Sequence, residues 1–244
     1  MLNMIIFSFF VGIIGTGIGG LVAFIYKKPT NRLISTTLGF AGGLMLAVVC
    51  FDLLPEAFEV GGLINGIVGM VIGVLLVTYF DMWVGEVLPN NHNMKGIDYI
   101  KMGVLMGMAI AVHNFPEGLA IGTSFSTSKE LGMSLMLVIG LHDIPEGIAM
   151  AAPMSIGGVN KFKVFMYTVL SGIPTGVAVL IGLYLGKISP MVISQSMGFA
   201  GGAMLYVTCG EMIPRSRNIY RGRISVLGMI FGVIGGIIIT RIFR

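Results

Sequence analysis

His113-Asn114-Phe115-Pro116-Glu117-Gly118 returns 29 positions later as His142-Asp143-Ile144-Pro145-Glu146-Gly147. The residues that follow match too, Leu119-Ala120 against Ile148-Ala149. Each word sits near the middle of an apolar run of about 20 residues, the length that crosses a hydrocarbon core. His113 and His142 are two of only three histidines in the chain. Ionisable groups are costly at that depth and mark functional sites. A polar word written twice in the most apolar part of the chain therefore predicts one site shared by two neighbouring membrane helices.

The composition supports that setting. Of 244 residues, 55% are hydrophobic and 11% charged, where a soluble domain has about 25% charged. The fold class expected is an all-α polytopic membrane protein, with residues 1–244 forming a single transmembrane domain. Glycine is abundant at 37 residues, as close helix packing in lipid requires. The net charge of +4 implies no nucleic-acid partner, because the basic residues gather in loops where topology explains them. Cys50 and Cys209 form no CxxC pattern and read as small packing residues. The 19 methionines read as packing and lipid-facing residues. The first apolar run lacks a basic leader and a small-residue cleavage site, so it is expected to belong to the mature fold.

Eight apolar spans are expected, at about 4–26, 33–56, 62–84, 102–125, 131–154, 163–186, 190–212 and 224–243. Lys/Arg bias sets their orientation. With the N-terminus outside, eleven basic residues are cytoplasmic and four are external, so both termini are expected outside a cell (inner) membrane. Tyr79 and Trp83 suit an interfacial aromatic belt. His92 reads as an ordinary loop residue.

The chain also repeats at an offset of 159. Leu38-Gly39-Phe40-Ala41-Gly42-Gly43 reappears as Met197-Gly198-Phe199-Ala200-Gly201-Gly202. Cys50/Cys209, Asp52/Glu211 and Pro55/Pro214 extend the match, and Thr16-Gly17 aligns with Thr175-Gly176. Unit one covers about 1–84, the central pair about 102–154 and unit two about 160–244. An odd number of spans separates the copies, so spans 1–3 and 6–8 are expected to be inverted repeats, as are spans 4 and 5. Inverted repeats around a midplane site characterise secondary transporters.

His113 and Glu117 are four apart and share a helix face, as do His142 and Glu146. Asn114 and Asp143 lie about 100° round and flank the same space. Two imidazoles, three carboxylates and an amide, with no thiolate, suit Zn²⁺, Fe²⁺, Mn²⁺, Co²⁺ or Cd²⁺, and the sequence does not rank them. No prosthetic group is implied; the metal is cargo. Repulsion among three carboxylates removed from water favours protons in the site when metal leaves. Pro116 and Pro145 are expected to bend each helix open at its ligands, and Gly118 and Gly147 to leave room beside the acids. Asp52 and Glu211 are read as charges at opposite span ends, for cation intake and exit. Glu56 and Glu59 read as surface charges.

With these words in place, the chain resembles the ZIP family of metal transporters (Zrt/Irt-like proteins), in particular its bacterial zinc-uptake branch. His113–Gly118 carries the family's span-four word unchanged. His142–Gly147, Phe51-Asp52-Leu53-Leu54-Pro55-Glu56 and Gly210-Glu211-Met212-Ile213-Pro214 also look like family words. The resemblance implies a 3+2+3 arrangement, external termini, import of divalent metal and a homodimer. It implies one metal position from His113, Glu117, His142 and Glu146, and a second from Asn114, Asp143 and the two glutamates. Two departures stand out. Span six reads Ser171-Gly172-Ile173-Pro174-Thr175-Gly176 without the acid that some members add, so one firmly held metal is expected. The histidine-rich loop of eukaryotic members is missing. A divalent metal importer follows, not an enzyme. A selective channel is the alternative. An intramembrane metalloenzyme lacks an HExxH-type arrangement, and an organic-cation carrier lacks an aromatic cage.

Overall fold

The computed structural model describes residues 2–25, 30–87 and 96–242. His92 lies outside them, and so does the side chain of Trp83. Helices account for the fold, with no strand among the described residues. They are α1 (Leu2–Ile25), α2 (Asn31–Val48), α3 (Leu54–Gly61), α4 (Leu63–Val87), α5 (Gly96–Thr127) and α6 (Lys129–Ile156). Then come α7 (Lys161–Ser171), α8 (Ile173–Leu185), α9 (Pro190–Val207), α10 (Ile213–Ile219) and α11 (Arg223–Ile242). Side-chain caps start three of them: Thr30, Asn160 and Ser189 accept from the backbone N–H of Leu33, Phe162 and Val192. Such caps satisfy amides that a helix start leaves without partners.

Several helices run on from one another, so the described residues form eight rods. A single turn of π-helix, Val49–Leu53, joins α2 to α3. Another, Thr208–Met212, joins α9 to α10. The two turns stand 159 positions apart, residue for residue. Each precedes a proline in the second position of the next helix, Pro55 and Pro214. Proline removes a backbone donor and crowds the preceding turn, and a widened turn accommodates it. By contrast, α5 and α6 continue without interruption through Pro116 and Pro145. The interruption falls instead at Gly172, between α7 and α8, with Pro174 directly after it.

Among the described residues, five stretches are long and apolar enough to cross a membrane: Asn31–Gly61, Leu63–Met82, Lys129–Ala152, Lys161–Leu185 and Arg223–Ile242. Their polarity is turned inside out relative to a soluble protein. On α11, Ser225, Gly228, Gly232, Gly236 and Thr240 face inward at helical spacing, while Leu227, Phe231, Ile234 and Ile238 face out. Lipid tails are as apolar as leucine, so small residues that admit close backbone contact form the interior.

The rods pack chiefly as α1 with α6, α5 with α8, α2 with α11, and α4 with α9. Glycines set the approach. A methyl group on Gly43 would strike the Met229 carbonyl, and one on Gly202 would strike the Met70 carbonyl. Gly232 abuts the carbonyl of Phe40, and Gly73 that of Phe199. Each contact maps onto its counterpart when 159 is added to one residue and subtracted from the other. Gly147 abuts the Thr16 carbonyl of α1, and Gly118 the Thr175 carbonyl of α8. These two glycines were expected to leave room beside the acids. They admit a neighbouring backbone instead, because each stands one helical turn from Asn114 or Asp143, on the face where α8 and α1 dock.

Candidate metal centre

Facing residues of α5 and α6 meet at the middle of the bundle. His142 reaches across from α6, and its Nε2 stands 2.8 Å from Glu117 Oε1 on α5. Asp143 Oδ1 lies 3.5 Å and Glu146 Oε1 3.8 Å from the same nitrogen. Glu117, His142 and Asp143 can each offer a donor atom, all within 4.8 Å of one another. The three side chains are buried, as are Asn114 and Glu146. One turn of helix separates His142 from Glu146, which brings both onto the face that α5 presents with Glu117.

Asn114 is oriented by the break in the α7–α8 rod. Its Nδ2 donates to the Ser171 carbonyl, which lies next to the break, at 2.9 Å. That bond leaves Oδ1 as the acceptor aimed inward. Oδ1 has no hydrogen-bond partner, nor do Glu117 Oε2, Glu146 Oε2 and both carboxylate oxygens of Asp143. His142 Nδ1 is also without one. Buried polar atoms are nearly always hydrogen-bonded, and an unmade bond costs about 1–3 kcal/mol. Glu117, His142 and Asp143 are the group that can hold a cation between them, and unpartnered oxygens belong to two of these three and to their neighbours Asn114 and Glu146. The sequence stretch 171–176, which lacks an acid, contributes the backbone carbonyl that holds Asn114.

His113 takes a different position from the one its sequence spacing suggests. Its Nε2 stands 3.5 Å from Glu211 Oε1, not against Glu117. Glu211 had been read as the end of span seven, remote from the ligands. The rod in fact continues through α10, and the π turn carries Glu211 inward to His113. His113, Glu146, Glu211 and Arg215 then line a cavity of about 60 Å³. The Glu211 side chain is 31% exposed, so this cavity leads from the cluster toward the surface. Tyr206 of α9 donates to Asp81 of α4 at 2.7 Å on the same side of the bundle.

Asp52 also departs from its sequence reading. It does not end a span, because α3 carries the rod beyond it to Gly61. It is only 1% exposed and accepts a hydrogen bond from Ser134 Oγ of α6 at 3.3 Å. It forms part of the wall of a vestibule of about 480 Å³ that Glu56, Glu59 and Glu130 also line. Glu56 and Glu59 thus belong to a shared acidic mouth. Between this vestibule and His142, α6 buries Leu135, Val138 and Ile139 in one apolar cluster with Met45 and Val48 of α2 and Val49 of the π turn. At the opposite end, Arg217, Arg221 and Arg223 line a basic pocket. Sequence reasoning missed Ser134, Asp81 and the position of Arg215. Only Arg215 left a trace, since it is the repeat mate of Glu56.

Apolar helices of membrane-crossing length that turn large apolar side chains outward define a helical, multi-pass membrane protein. The sequence matches the family described as ZIP Zinc transporter over residues 89–240, and the chain belongs to that family. Three relatives are each named Zinc transporter ZupT. That of Escherichia fergusonii is 33% identical over 131 residues, covering 49% of each chain. That of Corynebacterium glutamicum is 36% identical over 132 residues, covering 46% of this chain and 49% of its own. That of Shigella flexneri is 30% identical over 127 residues, again 49% of each. The chain spans about half the length of the curated relatives it matches.

Proposed function

We propose that the protein carries divalent transition-metal ions, zinc foremost, across a cell membrane into the cytoplasm. The observation that carries this reading is the buried Glu117–His142–Asp143 cluster with its unpartnered oxygens. Glu117, His142, Asp143 and Glu146 supply the first metal position, with Asn114 Oδ1 completing it. His113 pairs with Glu211 as the next station on the way out. With one compact cluster and no acid from span six, one firmly held metal is the stoichiometry we assign. Zn²⁺ accepts this nitrogen–oxygen set, as do Fe²⁺, Mn²⁺, Co²⁺ and Cd²⁺.

All eight rods cross the bilayer in this reading, as 3+2+3 with both termini outside and two chains forming a dimer. The π turns at matching positions and the reciprocal glycine contacts support inverted repeats. The acidic vestibule supports cation intake from that end. The apolar layer above His142 and the cavity below it correspond to a state closed to the vestibule and open toward the basic end. Alternating access then requires the apolar layer to part while the His113–Glu211 side closes.

Radioactive zinc uptake into proteoliposomes tests the reading. Uptake is expected to saturate with zinc concentration and to be reduced by excess Cd²⁺, Fe²⁺ or Mn²⁺ in the order of their affinities. A linear, unsaturable flux would favour the channel alternative, and no flux above empty liposomes would refute transport of zinc. Asp52→Asn keeps an acceptor for Ser134 but removes a charge from the vestibule. It is expected to raise KM several-fold with Vmax held. A fall in Vmax at unchanged KM would contradict an intake role.

A further inference from the structure

Glu56 and Arg215 are repeat mates of opposite charge. Glu56 lines the acidic vestibule. Arg215 lines the small cavity on the other side of the cluster, together with His113, Glu146 and Glu211. Sharing that small cavity places its positive charge in the neighbourhood of the carboxylates of Glu146 and Glu211. Asp81, held to Tyr206, adds a further negative charge that acts on Glu211. A dication leaving the cluster toward this end passes the glutamates that Arg215 faces. Arginine stays charged at every pH relevant to a folded protein. Its charge acts over several ångströms with little screening where water is largely excluded.

We propose that Arg215 is a tethered counter-cation that competes with the transported metal for Glu146 and Glu211, weakening metal binding on the release side. The inference rests on the reading of the cluster as a metal site. A departing ion leaves carboxylates that the guanidinium at once neutralises, so the empty site is stabilised and rebinding from that side is opposed. Among the described residues that line the acidic vestibule none is basic, and the equivalent position there is Glu56. One position of the repeat thereby gives the two ends of the path opposite effects on a cation. Arg215 is a positioning residue in this scheme, since it acts on the metal through the carboxylates.

Zinc binding to the full chain in detergent, followed by uptake in proteoliposomes, tests this. Arg215→Gln and Arg215→Met remove the charge at similar length; Arg215→Lys keeps it. Both neutral variants are expected to bind zinc about 10-fold tighter or more, the scale of one charge–charge interaction in a partly screened site. Their turnover and KM are both expected to fall, with Arg215→Lys staying near the wild type. Structural damage weakens binding, so a gain in affinity with lost turnover separates the two explanations. Unchanged or weaker binding in the neutral variants, while the wild type transports zinc and Glu117→Ala does not, would overturn the inference and leave the site intact. Failure of both neutral variants to fold would also overturn it, by making the charge structural. Absence of zinc binding in the wild type and all variants would overturn the site and the inference together.

Discussion

Glu117→Ala is expected to abolish zinc uptake, and Glu146→Ala to reduce it to a comparable degree. Glu117 is fully buried and provides the closest contact of the cluster, 2.8 Å from His142 Nε2. Removing it leaves His142 without its nearest partner and deletes one of three convergent donors. Changes to groups that merely support metal ligands cost about 10- to 100-fold in affinity or activity, so loss of a ligand itself is expected to exceed about 100-fold. The measurement is initial uptake per folded protein in proteoliposomes, with zinc binding in detergent as a second readout. Glu117→Gln separates charge from shape: it retains an oxygen donor and should bind more weakly than the wild type but better than the alanine variant. Wild-type uptake in both alanine variants would remove the basis for placing the metal between α5 and α6.

The largest effect on the fold is expected at Gly43. A β-carbon there meets the Met229 carbonyl and stands 3.0 Å from the Val233 amide, both rigid backbone of α11. No side-chain rotation relieves that clash, so α2 and α11 must separate along their length. Gly43→Val is therefore expected to cost about 3 kcal/mol, the upper end of overpacking penalties. Gly235→Ala on α11 is the control, because its methyl would sit 3.6 Å from Leu44 Cδ1, an ordinary contact. The check is the temperature at which half of the detergent-purified protein stops eluting as a folded species. Valine at 43 should lower it strongly and alanine at 235 hardly at all. Equal behaviour of the two would mean that the backbone approach at Gly43 contributes little.

Much of this architecture was legible in the sequence because it depends on period and depth. The doubled word placed His142, Asp143, Glu146 and Glu117 on facing helices at one level, and that is where they meet. Each rod overlies one expected apolar segment, since length and hydropathy dictate both, but the second and seventh run on past the expected ends to Gly61 and Ile219. What sequence did not disclose depends on local geometry. Asp52 and Glu211 each sit within a π turn, which rotates residues out of the register that 3.6-residue counting assumes. The rotation and the continuing helix turned two apparent span ends into a buried group beside Ser134 and a half-buried one beside His113. Arg215 was counted as one more loop charge, because nothing in a charge tally records which way a helix end points. Gly118 and Gly147 had the right positions but a different purpose, visible only once α8 and α1 were packed against them.

The matching π turns also carry a history. Each adds the same local widening at the same place in its half of the chain, Val49–Leu53 in one and Thr208–Met212 in the other. Two separate insertions at equivalent positions would be two events, whereas one insertion in an ancestral half-length chain is a single event that duplication then copied. Either way, the widened turn sets an acidic residue at the same register in each half, Asp52 in one and Glu211 in the other.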